Sequence, residues 1–356
     1  MTTLLSLGGL IVLLYRLQPW RKISFSANRP VHEPRVSIII PCRNEEKNLP
    51  SLLSSLRALE YQNIEVIVVD DHSTDRTYEI AQAAGDVRVV RAGEKPPEWA
   101  GKNWACLTGA KVAQGEYLLF TDADTIHAPD SLTKAVRFCA EEKADLVSAP
   151  PFHLCETSWE KYLGPFQLFA FIVTAYRQRP RLSRLFAIGQ YLLFTRESYL
   201  QLGGHEAISS SLAEDVDLAR MWMQAGRQYS VYPACDLYRV QMYTEMRAFL
   251  FGWKRILRLG MARSHLGSVV EIALVLHLLT IGFGRWEWPL FMLFALGVSV
   301  VAVAQRQIGN FRFLGAVLSP LNVGVFALLS ASAVFDRVLR RDIVWRNRAY
   351  PVSRAS

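Results

Sequence analysis

The chain has 356 residues, 51% of them hydrophobic and 20% charged, with a formal net charge of +8. That length holds one large α/β domain with additions, and the positive charge gathers beside apolar stretches, which argues for a membrane face and against a nucleic-acid partner. Cys42, Cys106, Cys139, Cys155 and Cys235 form no C-x-x-C pair, which excludes a zinc site and a disulfide framework and fits reduced cytosolic thiols.

In chain order, the first element is Leu4 to Tyr15, apolar and uncharged. No basic segment precedes it and no small-x-small cleavage pattern follows, so residues 1–24 read as an uncleaved anchor and not a signal peptide. Arg16, Arg21, Lys22, Arg29 and Arg35 flank it, and Ser24 to Pro34 is a mostly polar linker. Val36 to Ile40 reads as a buried strand stopped by Pro41-Cys42-Arg43-Asn44-Glu45-Glu46. Leu49, Leu52, Leu53, Leu56 and Leu59 recur at helical spacing and predict one apolar stripe. Glu65 to Val69 is a second strand running into Asp70-Asp71-His72-Ser73-Thr74-Asp75, with Thr74 or Asp75 capping a helix from Thr77 to Ala84. Val87 to Val90 is a third strand. Repeated strand–helix units predict a mainly parallel sheet, covered on both faces, that binds ligand at its strand ends.

Neither G-x-G-x-x-G nor G-x-x-x-x-G-K-[ST] occurs, which argues against a dinucleotide oxidoreductase and a P-loop kinase. Diphosphate charge then has to be met by a cation and basic side chains, and Lys102 in Trp99-Ala100-Gly101-Lys102-Asn103-Trp104 is a candidate. Leu118 to Phe120 is an apolar strand leading into Asp122-Ala123-Asp124. Hard carboxylates at the end of a buried strand predict a divalent-cation site for a phosphorylated substrate.

Pro129 opens a helix to about Ala140, and Leu146-Val147 begins a short strand. Trp159 to Tyr176 is aromatic and apolar, bounded by Arg177, Arg179 and Arg181, and predicts a helix lying in a membrane interface over about 156–178. Phe186 to Phe194 reads as a strand around Gly189-Gln190, and Gly203-Gly204 closes the next helix. Ser211 with Glu214 predicts a capping box. Asp215, on the first helical turn beside the cleft, is positioned to take a proton from an attacking hydroxyl. Lys254, Arg255, Arg258 and Arg263 precede Val269–Phe283, Trp286–Ala304 and Phe313–Val334, which predict C-terminal membrane segments across 266–336 and a basic tail over 337–356. Pro320, Asn322 and Gly324 interrupt the last segment.

Four ordered motifs, Val36-Ser37-Ile38-Ile39-Ile40-Pro41, Asp70-Asp71-His72-Ser73-Thr74-Asp75, Asp122-Ala123-Asp124 and Glu214-Asp215, make the sequence resemble the inverting family 2 glycosyltransferases of the GT-A fold, from Val36 to about Ala225. Pro96 to Ala105, Gly252-Trp253-Lys254-Arg255 after Met242-Tyr243, and Val344 to Tyr350 are similar to membrane-anchored members acting on carotenoid and hopanoid-type lipids. The resemblance implies a GT-A domain over 34–265, with Pro41, Arg43 and Glu45 bordering the nucleotide pocket, Asp71 on the base and Asp122 at the ribose. It further implies Lys102, Lys254 and Arg255 on the diphosphate, Asp124 on Mn²⁺ or Mg²⁺, Glu214 and Trp253 beside the acceptor, and Asp215 as general base. His72 stands where the family more often has a small residue.

The implied partners are a nucleotide-sugar donor, with UDP the expected nucleotide, a membrane lipid acceptor and the bilayer. The Gln-x-x-Arg-Trp element of processive synthases is missing, which favours single transfer. A processive polysaccharide synthase and a non-catalytic nucleotide-sugar-binding membrane protein are the alternatives. The positive-inside rule places the catalytic domain on the cytoplasmic face of a multi-pass protein of the cell membrane.

Overall fold

The computed structural model describes residues 1–17, 33–174, 178–261, 266–284, 287–339, 341–345 and 348–350. Most of the expected linker lies outside the described residues, as do Arg21, Lys22, Arg29, Tyr176, Arg177, Arg263, Arg346 and the end of the tail. The elements begin with α1 (Thr2–Arg16), β1 (Val36–Cys42), α2 (Leu49–Arg57), β2 (Ile64–Asp70), α3 (Thr77–Ala83) and β3 (Arg88–Arg91). Next come α4 (Gly101–Val112), β4 (Tyr117–Thr121), β5 (Thr125–His127), α5 (Ser131–Glu142), β6 (Leu146–Ser148), β7 (Phe152–His153) and α6 (Gly164–Thr174). β8 (Tyr191–Thr195), α7 (Arg196–Gln201), α8 (Gly204–Ala207), α9 (Glu214–Gln224), β9 (Tyr229–Val231) and β10 (Tyr238–Val240) follow. The chain continues through α10 (Met246–Met261), α11 (Leu266–Gly284), α12 (Trp288–Ile308), α13 (Phe313–Val317) and α14 (Ser319–Val338) to a hairpin of β11 (Ile343–Trp345) and β12 (Arg348–Tyr350).

Two compact units emerge, one from Arg21–Phe152 and Arg177–Val240, the other from Met1–Trp20, His153–Tyr176 and Gln241–Ser356. The single domain expected over 34–265 is thereby divided, because residues 153–176 and those after Gln241 fold with the helices.

In the first unit, seven strands pair in the order β3-β2-β1-β4-β8-β6-β9 among the described residues. β1 to β4 run parallel, β8 runs antiparallel to both β4 and β6, and β9 is parallel to β6. Ile38, Ile39, Ile40, Leu118 and Leu119 are buried, as strands covered on both faces require. The stripe Leu49, Leu52, Leu53 and Leu56 of α2 enters the same core as Ile38, Ile40 and Val68. The expected strand over 186–194 shortens to Tyr191–Thr195. Ser148 Oγ accepts from Ile188 N at 2.9 Å and donates to Ile188 O at 3.2 Å, which draws the preceding residues out of the ladder. At α3, Asp75 Oδ1 accepts from Thr77 N at 3.0 Å, although Arg76 holds the N-cap position.

In the second unit, α12 and α14 are long and apolar enough to cross a membrane. α1 packs on α11 through Gly9, where a Cβ would come within 2.9 Å of Leu278 Cβ, the close approach small residues permit between apolar helices. Arg16 adds a two-pronged ion pair to Glu271, at 2.9 and 2.7 Å. The interruption expected at Pro320, Asn322 and Gly324 falls earlier, at Leu318 between α13 and α14. Pro320 occupies the first turn of α14, where its missing N–H costs no helical bond. The helix expected to lie in an interface forms as α6 and packs within the helical unit. Phe166, Leu168, Phe169, Phe171 and Ile172 of α6 are all buried, and Phe166 meets Phe249 and Trp253 of α10 and Phe326 of α14 edge to face at 5.1, 4.7 and 5.7 Å. All five cysteines are buried free thiols.

Candidate active site

Parallel strands deliver their C-terminal ends to one edge of a sheet, and in this sheet that edge receives Arg43 after β1, Asp71 after β2 and Asp122 after β4. β8 runs the other way, so its N-terminal end arrives at the same edge. Its first residue, Tyr191, pairs with Thr121, and this register sets Gly189 and Gln190 beside Asp122. Thr121 Oγ1 fixes the turn by donating to Gln190 O at 2.9 Å, while Ser148 holds Ile188.

Lys102, on the first turn of α4, reaches this edge with Nζ 2.7 Å from Asp122 Oδ1 and 2.7 Å from Glu214 Oε1. Its neighbour Asn103 is buried and donates through Nδ2 to the carbonyls of Ile208, Ser209 and Ser211 at 2.9, 3.1 and 3.0 Å. The start of α4 and the loop leading to α9 are thus tied together, and Lys102 and Glu214 are held in register. The capping box does not form. α9 starts at Glu214 with Ala213 at its N-cap, Ser211 Oγ donates to Asp217 Oδ2 at 2.5 Å, and the Glu214 side chain turns to Lys102 instead.

Asp215 follows on the first turn. Its Oδ1 accepts from Val216 N at 2.8 Å and its Oδ2 from Gly189 N at 3.0 Å. A Cβ at Gly189 would lie 2.8 Å from Glu214 Oε1 and 3.1 Å from Lys102 Nζ, so a side chain there would displace the ends of those two side chains. Burial, and then the adjacent Glu214 charge, raise the Asp215 carboxyl to about 7. Burial also pushes Glu214 upward, but the Lys102 ammonium more than offsets it, so Glu214 titrates below its ordinary value. Two adjacent carboxyls are therefore driven apart, one held ionised and one poised near neutrality, the pattern of an acid–base site.

On the neighbouring strand ends, Arg43 Nη1 lies 3.5 Å from Asp71 Oδ2. Burial raises the Asp71 carboxyl despite that guanidinium. Asn44 and His72 adopt φ of 56° and 55°, a left-handed backbone uncommon outside glycine. Asn44 N donates to Ser73 Oγ at 3.0 Å and its Oδ1 accepts from Thr74 N at 2.8 Å, so the loops after β1 and β2 brace each other. Glu45 is buried, with its N bonded to Thr77 Oγ1 at 2.7 Å and its Oε2 to Asn48 Nδ2 at 2.8 Å. Pro41 sits opposite Val69 and past the last β1–β4 pair, Ile39 with Phe120, so its missing N–H leaves that ladder intact.

Asp122 and Asp124 present hard oxygens at the end of β4, the donor chemistry that Mn²⁺ and Mg²⁺ take. No three His, Cys, Asp or Glu side chains converge on one point among the described residues. An ion at this edge fits by taking its remaining ligands from donor phosphates and water, as Mg²⁺ commonly does.

The other expected site residues, Trp253, Lys254 and Arg255, lie on α10 in the helical unit. Trp253 is only 4% exposed and packs edge to face on Phe166. Lys254 Nζ makes a 2.5 Å ion pair with Asp336 of α14. Sequence reasoning missed Gly189, Ser148, Thr121 and Asn103 as site-forming residues. The turn glycine just ahead of a predicted strand was the available signal for Gly189.

Residues 37–203 match the family described as glycosyl transferase family 2. The 4,4'-diaponeurosporenoate glycosyltransferase of Staphylococcus haemolyticus (strain JCSC1435) is 25% identical over 335 residues, spanning 89% of this chain and 88% of that relative. The enzyme of the same name from Staphylococcus aureus (strain MRSA252) is 26% identical over 336 residues, spanning 90% and 89%. A solved mannosyltransferase from Pyrobaculum calidifontis, PcManGT, in complex with GDP-Man and Mn²⁺, superposes with a TM-score of 0.52 at 19% identity, covering 95% of this chain and 92% of that one. That last likeness establishes the GT-A fold. With strand-end carboxylates gathered at one edge of its sheet, the chain thus matches the glycosyl transferase family 2 model over residues 37–203 and is similar to glycosyltransferases over most of its length.

Proposed function

We propose that this chain transfers a single sugar, with inversion, from a nucleotide-sugar donor to a lipid acceptor that ends in a hydroxyl or carboxyl group. The observation that carries the reading is Asp215, raised to about 7 and fixed by Gly189 N and Val216 N beside the Lys102–Asp122–Glu214 cluster. Each Asp215 oxygen accepts one N–H and retains a lone pair for an acceptor proton. As that proton leaves, the acceptor oxygen bonds to the anomeric carbon and the bond from that carbon to the diphosphate breaks on the opposite face. A carboxyl acceptor needs little such help.

Lys102 places positive charge where the departing diphosphate accumulates negative charge, a pre-organised electrostatic contribution. A Mn²⁺ or Mg²⁺ held by Asp124 and Asp122 would neutralise the same diphosphate. Arg43, Asp71 and the braced loops after β1 and β2 are suited to the nucleotide, a UDP in this proposal.

The lipid acceptor is supported by the curated relatives, named for the carotenoid acid they glycosylate, and by two helices long and apolar enough to span a bilayer. A multi-pass chain with its catalytic unit on the cytoplasmic side of the cell membrane is the matching arrangement. The test is mass spectrometry of lipids from cells making the protein, cells making the Asp215→Asn variant, and cells making neither. A glycosylated lipid present only with the wild-type chain is the expected result. Identical lipid profiles in all three, with transfer to a water-soluble acceptor in vitro, would overturn the lipid reading.

A further inference from the structure

The carboxylate turn after β4 and the Gly189–Gln190 turn before β8 meet at two buried hydroxyls whose protons can be counted. Thr121 Oγ1 donates to Gln190 O at 2.9 Å, and Thr125 Oγ1 donates to Asp122 O at 2.8 Å. A carbonyl oxygen only accepts and each hydroxyl has one proton, so both protons are committed. The two hydroxyl oxygens nevertheless lie 3.0 Å apart in a buried site. Oxygens so placed need a further donor.

His127, the last residue of β5, is within reach of both. Its Nε2 lies 3.1 Å from Thr121 Oγ1 and 3.4 Å from Thr125 Oγ1. The ring sits against Tyr191 of β8 and Tyr238 of β10, with centroids 5.6 and 6.2 Å away. Its backbone is fixed separately, because His127 N donates to Ser55 Oγ of α2 at 3.0 Å. Burial lowers the imidazole to about 4, so at neutral pH the ring carries a single N–H. Nε2 faces two oxygens whose protons are spent, and so it bears that hydrogen. Nδ1, buried and without a hydrogen-bond partner among the described residues, is the bare nitrogen.

Without the ring proton, one hydroxyl has to turn toward the other and release its carbonyl. Release of Gln190 O loosens the turn that presents Gly189 N to Asp215 Oδ2. Release of Asp122 O leaves it the longer bond from Thr125 N at 3.3 Å, and loosens the turn whose carboxylate meets Lys102.

We propose that His127 is a positioning residue, whose single Nε2 proton lets Thr121 and Thr125 hold the Asp122 turn and the Gly189 turn at the same time. It acts through the two threonines. The role rests on the reading of Asp215 and Asp122 as parts of the transfer site.

The experiment is hydrogen–deuterium exchange of the full-length protein in detergent, read by mass spectrometry, which needs no substrate. Long-range proton–nitrogen spectra of histidine-labelled protein and lipid profiles of cells making each variant accompany it. The wild-type His127 signal, identified as the one His127→Gln removes, should show the proton on Nε2 at neutral pH. His127→Leu should speed exchange about tenfold, the scale of one hydrogen bond, in peptides covering 122–125, 188–190 or both, while peptides of β1 and β2 keep wild-type protection. His127→Gln places an amide nitrogen where Nε2 lies and should restore wild-type exchange. His127→Asn, whose amide stops short of the threonines, should behave as His127→Leu does, and the Asn and Gln pair makes the comparison if His127→Leu does not fold. Glycosylated lipid should fall and recover in step with these rates. A proton on Nδ1, wild-type exchange in His127→Asn, equal exchange in His127→Gln and His127→Asn, quickening throughout the sheet, or failure of His127→Gln to fold overturns the assignment. If cells making the wild-type chain contain no glycosylated lipid, the lipid-acceptor reading falls, and the exchange rates still decide the role of His127.

Discussion

Asp215→Asn separates the proposed base from every neighbouring contribution. The rise of its carboxyl from the ordinary 3.8 to about 7 corresponds to roughly 4 kcal/mol at ~1.36 kcal/mol per pH unit. The sign follows from proton counting. Between those two values the folded chain keeps a proton that the unfolded chain has lost, so wild-type stability falls as pH rises through that window and levels off above about pH 7. Asparagine has no such slope. Its single carbonyl also satisfies only one of the two N–H donors, Gly189 and Val216, a loss of about 1 kcal/mol. The variant should thus be slightly less stable than wild type near pH 4 and roughly 2–3 kcal/mol more stable at pH 8. Turnover should drop by about 10² or more, the scale of lost general-base catalysis. Wild-type kcat/KM with a hydroxyl acceptor should climb about tenfold per pH unit until about pH 7 and then plateau. Denaturation of detergent-solubilised protein from pH 4 to 9, beside transfer rates, checks both arms. A stability difference that does not change with pH, or wild-type turnover in the variant, refutes the assignment.

Lys102→Met leaves Asp122 and Glu214 facing Asp215 without their shared cation. Removing one partner of a fully buried pair costs ~3–5 kcal/mol, and because Lys102 retains 30% exposure the expected loss is about 2 kcal/mol, with transfer down at least ~10-fold; unchanged stability and rate would contradict the cluster. Gly189→Ala must displace the Glu214 carboxylate and the Lys102 ammonium, disturbing the charges beside Asp215, so kcat should fall ~10–100-fold with little change in donor KM, whereas a pure KM effect would place Gly189 elsewhere in the reaction. EDTA should abolish transfer and Mn²⁺ or Mg²⁺ restore it, with Asp124→Ala beyond rescue; full activity of that variant in chelator would remove the ion from the reaction.

The elements whose pattern is local were legible. Val36–Ile40, Glu65–Val69 and Leu118–Phe120 read as buried strands and are strands, because a parallel sheet buried on both faces demands unbroken apolar runs. The Leu49–Leu56 stripe likewise announced α2. What the sequence left open depended on tertiary partners. Trp159 to Tyr176 carries aromatics with a basic flank, and such a segment has the same composition whether lipid or protein covers it. Here Phe249, Trp253 and Phe326 supply the cover. Ser211 and Glu214 have capping-box spacing, yet the ammonium of Lys102, more than a hundred residues earlier, is a stronger partner for Glu214 than a backbone N–H. Lys254 has the right charge for a diphosphate, and only the packing of α10 against α14 shows its ion pair with Asp336.

The acidic residues of the site and Lys102 stood out in the sequence, while the contacts that give the carboxylates different roles did not. Asp122, Glu214 and Asp215 are chemically similar carboxylates, and nothing in their order says which stays ionised. That difference comes from Lys102, which the Asn103 side chain holds against the loop before α9, and from Gly189, which β8 brings in because it runs antiparallel to β4. A parallel strand at that position would point its C-terminal end at this edge and carry its own N-terminal turn to the opposite one. The reversal of one strand therefore lets a bare backbone N–H, with Thr121 and Ser148 fixing the turn around it, hold the base beside Glu214 and Lys102, whose side-chain ends a Cβ at Gly189 would displace.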